Sequence, residues 1–116
     1  MSTVIIAIGS NTLPDHHLAL ARRRLASVLS GVRFSRELRS QDYHGRDVWY
    51  LNQLARGECA LSADELETRL KAIEAESGRT ADRVTLDLDL MQYDGRRYHE
   101  RDWPRPYIQQ LLPDIL

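Results

Sequence analysis

Apolar positions along the chain switch between continuous runs, alternation and helical spacing, and each switch marks an element. Val4-Ile5-Ile6-Ala7-Ile8 is an unbroken, mostly β-branched run ending at Gly9-Ser10-Asn11. It predicts a central buried strand closed by a turn. Pro14 then opens a helix, where a missing N–H matters little. Leu18, Ala21, Leu25, Val28 and Leu29 recur at helical spacing and predict its inner face; Gly31 predicts its end. Val32, Phe34 and Leu38 alternate with Arg33, Ser35, Glu37 and Arg39, predicting a half-buried strand that ends near Ser40.

Gln41 to Asp47 reads as a polar loop, and Val48 to Cys59 as a third strand with a candidate bulge at Gly57. Ser62-Ala63-Asp64-Glu65 is a capping box ahead of the stripe Leu66, Leu70, Ile73. On that helix Glu65–Arg69 and Glu67–Lys71 have ion-pair spacing. Gly78 closes it. A charged loop, Arg79 to Arg83, leads into the alternating strand Thr85 to Leu90. Asp94-Gly95 is a hairpin signal, so Arg96 to His99 reads as a short return strand, and Pro104 to Leu112 as a final helix. The order is β-α-β-β-α-β with a β/α tail. Two helices on one face of a mostly antiparallel sheet give an α+β, ferredoxin-like two-layer sandwich.

Composition narrows the function without naming it. At 116 residues the expectation is one domain, 1–116, with one modest core. A net charge of -1 argues against nucleic-acid binding through bulk charge. Val4 to Ile8 is the longest apolar run, too short to span a bilayer. Cys59 is the only cysteine, so no intrachain disulfide can form, which fits a reducing, cytoplasmic setting. Monomer and weak homodimer both suit these numbers.

The chemistry concentrates in Thr85-Leu86-Asp87-Leu88-Asp89-Leu90. On a strand, Asp87 and Asp89 share one face and the three leucines the other. Buried charges must be paired or bind metal. Two carboxylates on one face therefore form either a solvated surface or a site for a hard cation such as Mg²⁺. Taken alone, the solvated surface is the commoner case. Tyr50 and Asn52 also share a strand face. His16 and His17 fall in the first turn of the first helix and are expected to be exposed. No His, Cys, Asp and Glu set has zinc-site spacing, and no phosphate-loop motif occurs.

VIIAIGSN (4–11), Tyr50-Leu51-Asn52, Ile73-Glu74 with Gly78-Arg79, and TLDLDL (85–90) occur in this order. Together they resemble the 6-hydroxymethyl-7,8-dihydropterin pyrophosphokinase family of folate biosynthesis. The resemblance runs from Val4 through Tyr93, and more weakly to Pro113-Asp114. It implies a ferredoxin-like fold and transfer of the β,γ-diphosphate of ATP to a pterin alcohol, releasing AMP. It implies two Mg²⁺ ions held by Asp87 and Asp89. It also implies a pterin pocket lined by Tyr50 and Asn52, with Glu74 and Arg79 near the nucleotide. Arg79 and Arg83 precede the metal strand and would neutralise phosphates. Arg101-Asp102-Trp103 matches an arginine followed two residues later by an aromatic. Trp103 is then either the second face of a pterin sandwich, with Arg101 on phosphate, or a hydrophobic plug.

The chain departs from the family in its loops. The segment before Tyr50 lacks the family's Thr and prolines. The Trp-Gly-Pro-Arg stretch before the metal strand is replaced by Arg83-Val84. The Pro-His connection after that strand is mostly missing, with His99 as a candidate substitute. Such loops exclude water and complete a phosphate clamp. The alternative function is therefore a catalytically impaired pterin- or nucleotide-binding relative with a regulatory or interaction role.

Overall fold

A computed structural model describes residues 1–41 and 48–116. Its elements are β1 (Ser2–Ser10), α1 (Pro14–Val28), β2 (Ser30–Phe34), β3 (Leu38–Gln41), β4 (Trp49–Cys59), α2 (Ala63–Glu76), β5 (Asp87–Tyr93), β6 (Arg96–Arg97) and α3 (Pro106–Leu111), followed by a 3-10 turn over Leu112–Asp114. The sheet order is β2-β4-β1-β5-β6, with β3 also on β4, and all described pairings are antiparallel. With α1 and α2 on one face, this is the expected α+β, ferredoxin-like arrangement. The apolar run forms the central strand, and its alternate residues enter different cores. Val4, Ile6 and Ile8 pack with Leu18, Leu25, Leu66 and Leu70, while Ile5 and Ala7 face the other way.

The tail does more than close the chain. Trp103, Ile108, Leu111 and Ile115 cover Ile5, Ala7, Leu54 and Met91 and build a second core on the opposite face. Asp114 pins this segment: its oxygens accept from the Arg36 backbone N–H at 2.9 Å and from the Arg36 guanidinium at 2.7 Å. Alternation along β5 puts Met91 in that core, and a bulge between Ile5 and Ile6 in the β1–β5 register shifts the phase so that Tyr93, opposite Val4, packs on the helix-side core.

Four local expectations change. The strand expected from Val32 to Ser40 is two strands. Its alternation breaks at Ser35, which turns inward and accepts from Leu54 N–H at 2.8 Å. The bulge expected at Gly57 lies opposite it, between Ser30 and Arg33 of β2. His17 is buried, not exposed; its Nδ1 donates to the Thr12 carbonyl at 2.6 Å. That bond ties down the turn in which Leu13 adopts a left-handed φ of 43°. The capping box forms as expected, with Ser62 Oγ accepting from Glu65 N–H and Glu65 Oε1 from Ser62 N–H. Lys71 reaches Glu74 at 3.2 Å rather than Glu67. The loop expected over Gln41 to Asp47 lies outside the described residues, except Gln41, which ends β3. No helix among the described residues is long and apolar enough to cross a membrane.

A Cβ placed on Gly57 would sit 3.1 Å from Leu29 Cβ, 3.2 Å from Ser30 O and 3.3 Å from Val32 Cα, in or next to the bulge. Gly57→Ala should lower stability by about 1–3 kcal/mol, read from urea denaturation. An unchanged midpoint would show that the bulge yields freely.

Candidate functional site

The site grows from β1. Gly9 is opposite Asn52 on β4 and opposite Asp87 on β5; Ala7 is opposite Asp89. Two small residues thus leave a hollow between taller neighbours. A Cβ on Gly9 would lie 3.6 Å from Asn52 Oδ1 and 3.8 Å from the Tyr50 ring. The resulting cleft, about 170 Å³, is lined by Gly9, Tyr50, Asn52, Asp87, Asp89 and Tyr107, with Ser40, Gln41 and Arg105 also on its walls. The turn after β1 braces it. Asn11 Oδ1 accepts from Val84 N–H at 3.1 Å, and Asn11 N–H donates to Val84 O at 2.9 Å. The Gly-Ser-Asn turn therefore fixes the segment that delivers Asp87.

The TLDLDL alternation holds where it matters. Leu86, Leu88 and Leu90 are buried in the helix-side core, and Asp87 and Asp89 face the cleft. Asp89 is pushed up to about 6, first by burial and then by the charge of Asp87. His99 Nε2, 3.9 Å from Asp89 Oδ1, offsets only part of this. Among the described residues no three His, Cys, Asp or Glu side chains form a metal-binding group. Two carboxylates nevertheless suit Mg²⁺, which keeps several waters and takes further oxygens from phosphate. Their mutual repulsion is what a dication would relieve, so the donor set fits.

Glu74 and Arg79 stand behind the pair. Glu74 is neither solvated nor on the cleft face. It is buried, and its Oε2 accepts from the Leu88 backbone N–H at 2.7 Å. That N–H lies on the edge of β5 beyond the reach of β6, so the carboxylate does the work of a missing strand. Arg79 lies 3.3 Å from Glu74 Oε2 and 3.1 Å from Asp87 Oδ1, and donates to Leu86 O at 3.2 Å. Arg83 is exposed, its backbone closing a turn with Thr80.

Tyr50 is half-buried and Asn52 buried, both on the cleft wall. Asn52 commits its N–H groups to Ser40 Oγ at 2.7 Å and Leu38 O at 3.1 Å, so it presents an acceptor rather than both functions. Trp103 does not join them. It is buried in the second core, its Nε1 donates to Tyr98 O at 3.0 Å, and the Arg97 guanidinium lies 4.1 Å from its ring centre. Arg101 is exposed and outside the cleft lining. The aromatic and arginine that line the cleft are Tyr107 and Arg105, which the sequence reading passed over. The signal was present. The Arg-x-aromatic pattern occurs three times, at 96–98, 101–103 and 105–107, and the cleft uses the last.

The class defined by this geometry is a ferredoxin-like α+β domain with paired carboxylates beside an aromatic cleft on its sheet. The chain belongs to the 7,8-dihydro-6-hydroxymethylpterin-pyrophosphokinase family, whose model matches residues 5–115. It is 30% identical over 130 aligned positions to the mitochondrial folate synthesis bifunctional protein of Pisum sativum, covering 97% of this chain and 25% of that protein. It is 32% identical to the folate synthesis bifunctional protein of Arabidopsis thaliana, covering 97% of this chain and 27% of that protein. The chain thus spans about a quarter of the length of these relatives. The alignment over 130 positions is longer than the 116-residue chain, so the relatives carry residues here that this chain lacks.

Because folding raises the Asp89 pKa, the stability it contributes is full below about pH 4 and is lost as pH rises through 6. Asp89→Asn should therefore be the more stable protein at pH 7 without metal, by about 1–3 kcal/mol. The gap should vanish at pH 3.5. Thermal melts at both pH values check this; equal melting temperatures at pH 7 would refute it.

Proposed function

We propose that this chain moves the diphosphate of ATP onto the hydroxymethyl group of 6-hydroxymethyl-7,8-dihydropterin, releasing AMP, as a step of folate biosynthesis. The observation that carries this is the convergence of Asp87, Asp89, Tyr50, Asn52 and Tyr107 on one cleft, in a chain matched to the family over residues 5–115. The cleft has room for a flat ring rather than a whole nucleotide. Tyr50 and Tyr107 offer aromatic faces to a pterin. The Asn52 oxygen accepts an N–H from the ring edge.

Asp89 also borders a second hollow of about 140 Å³, with Lys71, Leu88, Leu90 and His99 along the open edge of β5. In this reading the nucleoside of ATP occupies that hollow and its phosphates cross the Asp87–Asp89 ridge toward the pterin. Phosphoryl transfer is mostly positioning and charge neutralisation. Mg²⁺, two ions by family resemblance, would be held by Asp87 and Asp89 and would neutralise the phosphates while aligning the attacking oxygen. Arg79 and Arg105 flank the path of the phosphates. Arg83 and Arg101 are exposed and would reach them only from outside. Trp103 supports the cleft from behind by anchoring the segment that carries Tyr107.

The residues missing relative to the plant proteins favour a second reading, in which the chain binds pterin or nucleotide without turnover. AMP release from Mg-ATP with and without the pterin separates the two. Pterin-dependent AMP is expected. Binding by calorimetry with no AMP would establish the second reading. Within the first, Tyr107→Ala should weaken pterin binding by about 1–3 kcal/mol, seen as a raised KM, by analogy with base–aromatic stacking. Trp103→Ala should instead lose about 3–5 kcal/mol of folding stability. The reverse pattern would return the ring-binding role to Trp103.

A further inference from the structure

The position of Arg79 carries an inference that rests on the metal-dependent reading of the cleft. Its guanidinium lies between two carboxylates, 3.1 Å from Asp87 Oδ1 and 3.3 Å from Glu74 Oε2. The two acids differ in every respect that decides which can release it. Glu74 is buried, and its Oε2 is fixed by the Leu88 N–H at 2.7 Å, with Lys71 on the other oxygen at 3.2 Å. Asp87 opens onto the cleft, with 39% of its side chain exposed. Arg79 also donates to Leu86 O, immediately before Asp87. One cation is thus anchored on a fixed acid and a backbone oxygen, and leans on an acid that other ligands can reach.

We infer that Arg79 is a positioning residue which occupies Asp87 as a resident counter-ion and yields it when a divalent cation binds. Glu74 keeps the guanidinium in place after that exchange. Arg79 then stays tethered to Leu86 O, one residue before the metal strand, with donors turned from Asp87 to the phosphates. The exchange makes its engagement with phosphate conditional on metal. Among the described residues the ion pair on Asp89 is with His99, at 3.9 Å. The two carboxylates are therefore unequal, and Asp89 accepts the first cation more readily.

Mn²⁺ binding by electron paramagnetic resonance, without nucleotide, tests this directly and does not depend on activity. Arg79→Ala should bind Mn²⁺ about two- to five-fold more tightly than the wild type, the scale of a partly exposed ion pair. Glu74→Gln keeps an acceptor for the Leu88 N–H but frees Arg79 to hold Asp87 more firmly. It should weaken Mn²⁺ binding in the wild-type background and do so much less in the Arg79→Ala background. Equal affinity of wild type and Arg79→Ala would overturn the inference while leaving the metal site intact. So would a Glu74→Gln effect of the same size in both backgrounds, because Glu74 would then act through its field alone. Absence of Mn²⁺ binding by every form, with and without ATP, would instead overturn the metal-dependent reading, and this inference with it. Circular dichroism at the working temperature confirms that each variant compared is folded.

Discussion

The site depends on β1 being paired on both sides. Its hydrogen bonds to β4 and β5 bring Asn52 and Asp87 to opposite sides of Gly9, and Asp89 beside Ala7. A one-residue slip in either ladder would send the chemistry-bearing side chains into the helix-side core. Such a slip is resisted from that side. Val4, Ile6 and Ile8, and with them Leu88 and Leu90, have no other place to go. The apolar face thus sets the aim of the polar one. A buried glutamate then completes the edge of the strand, so that the two aspartates rest on a frame that is hydrogen-bonded on both margins.

Much of this was legible in the residues. The β-branched run, the capping box and the Leu/Asp alternation each describe a local preference that the tertiary structure also satisfies, so the α+β order could be read directly. Asp87 and Asp89 were legible for the same reason: period two on a strand leaves one choice of face. What could not be read were contacts made at a distance. Glu74 looks like any helical glutamate until β5 presents an unpaired N–H to it. His17 looks like a surface residue of a first turn until the strained turn before it presents a carbonyl. Ser35 sits on the polar phase of its strand and is buried because the strand breaks there.

The tail shows the limit most clearly. Trp103 is the larger aromatic and ends the Arg-x-aromatic pattern at 101–103. Size alone makes it the better core residue, since a buried indole removes more apolar surface than a phenol and its one N–H is satisfied by Tyr98. Tyr107, four residues later, keeps an amphipathic ring on the cleft wall. Choosing among copies of one motif depends on which face of the sheet the tail covers, and that is a property of the whole fold rather than of the motif.

The placement of β1 also shapes how the molecule comes into being. β1 comes before its partners in chain order and forms the middle of the finished sheet, and both of its neighbours are encoded far downstream. Its edges stay open until β4 arrives and, on the other side, until β5 does. Non-local pairing of this kind folds slowly compared with helical neighbours. The strand that bears the aspartates is the later of the two in chain order, so Leu86, Leu88 and Leu90 reach the core together with the chemistry. Until then the most apolar segment of the chain stands unpaired, which makes early synthesis the period when aggregation threatens it most.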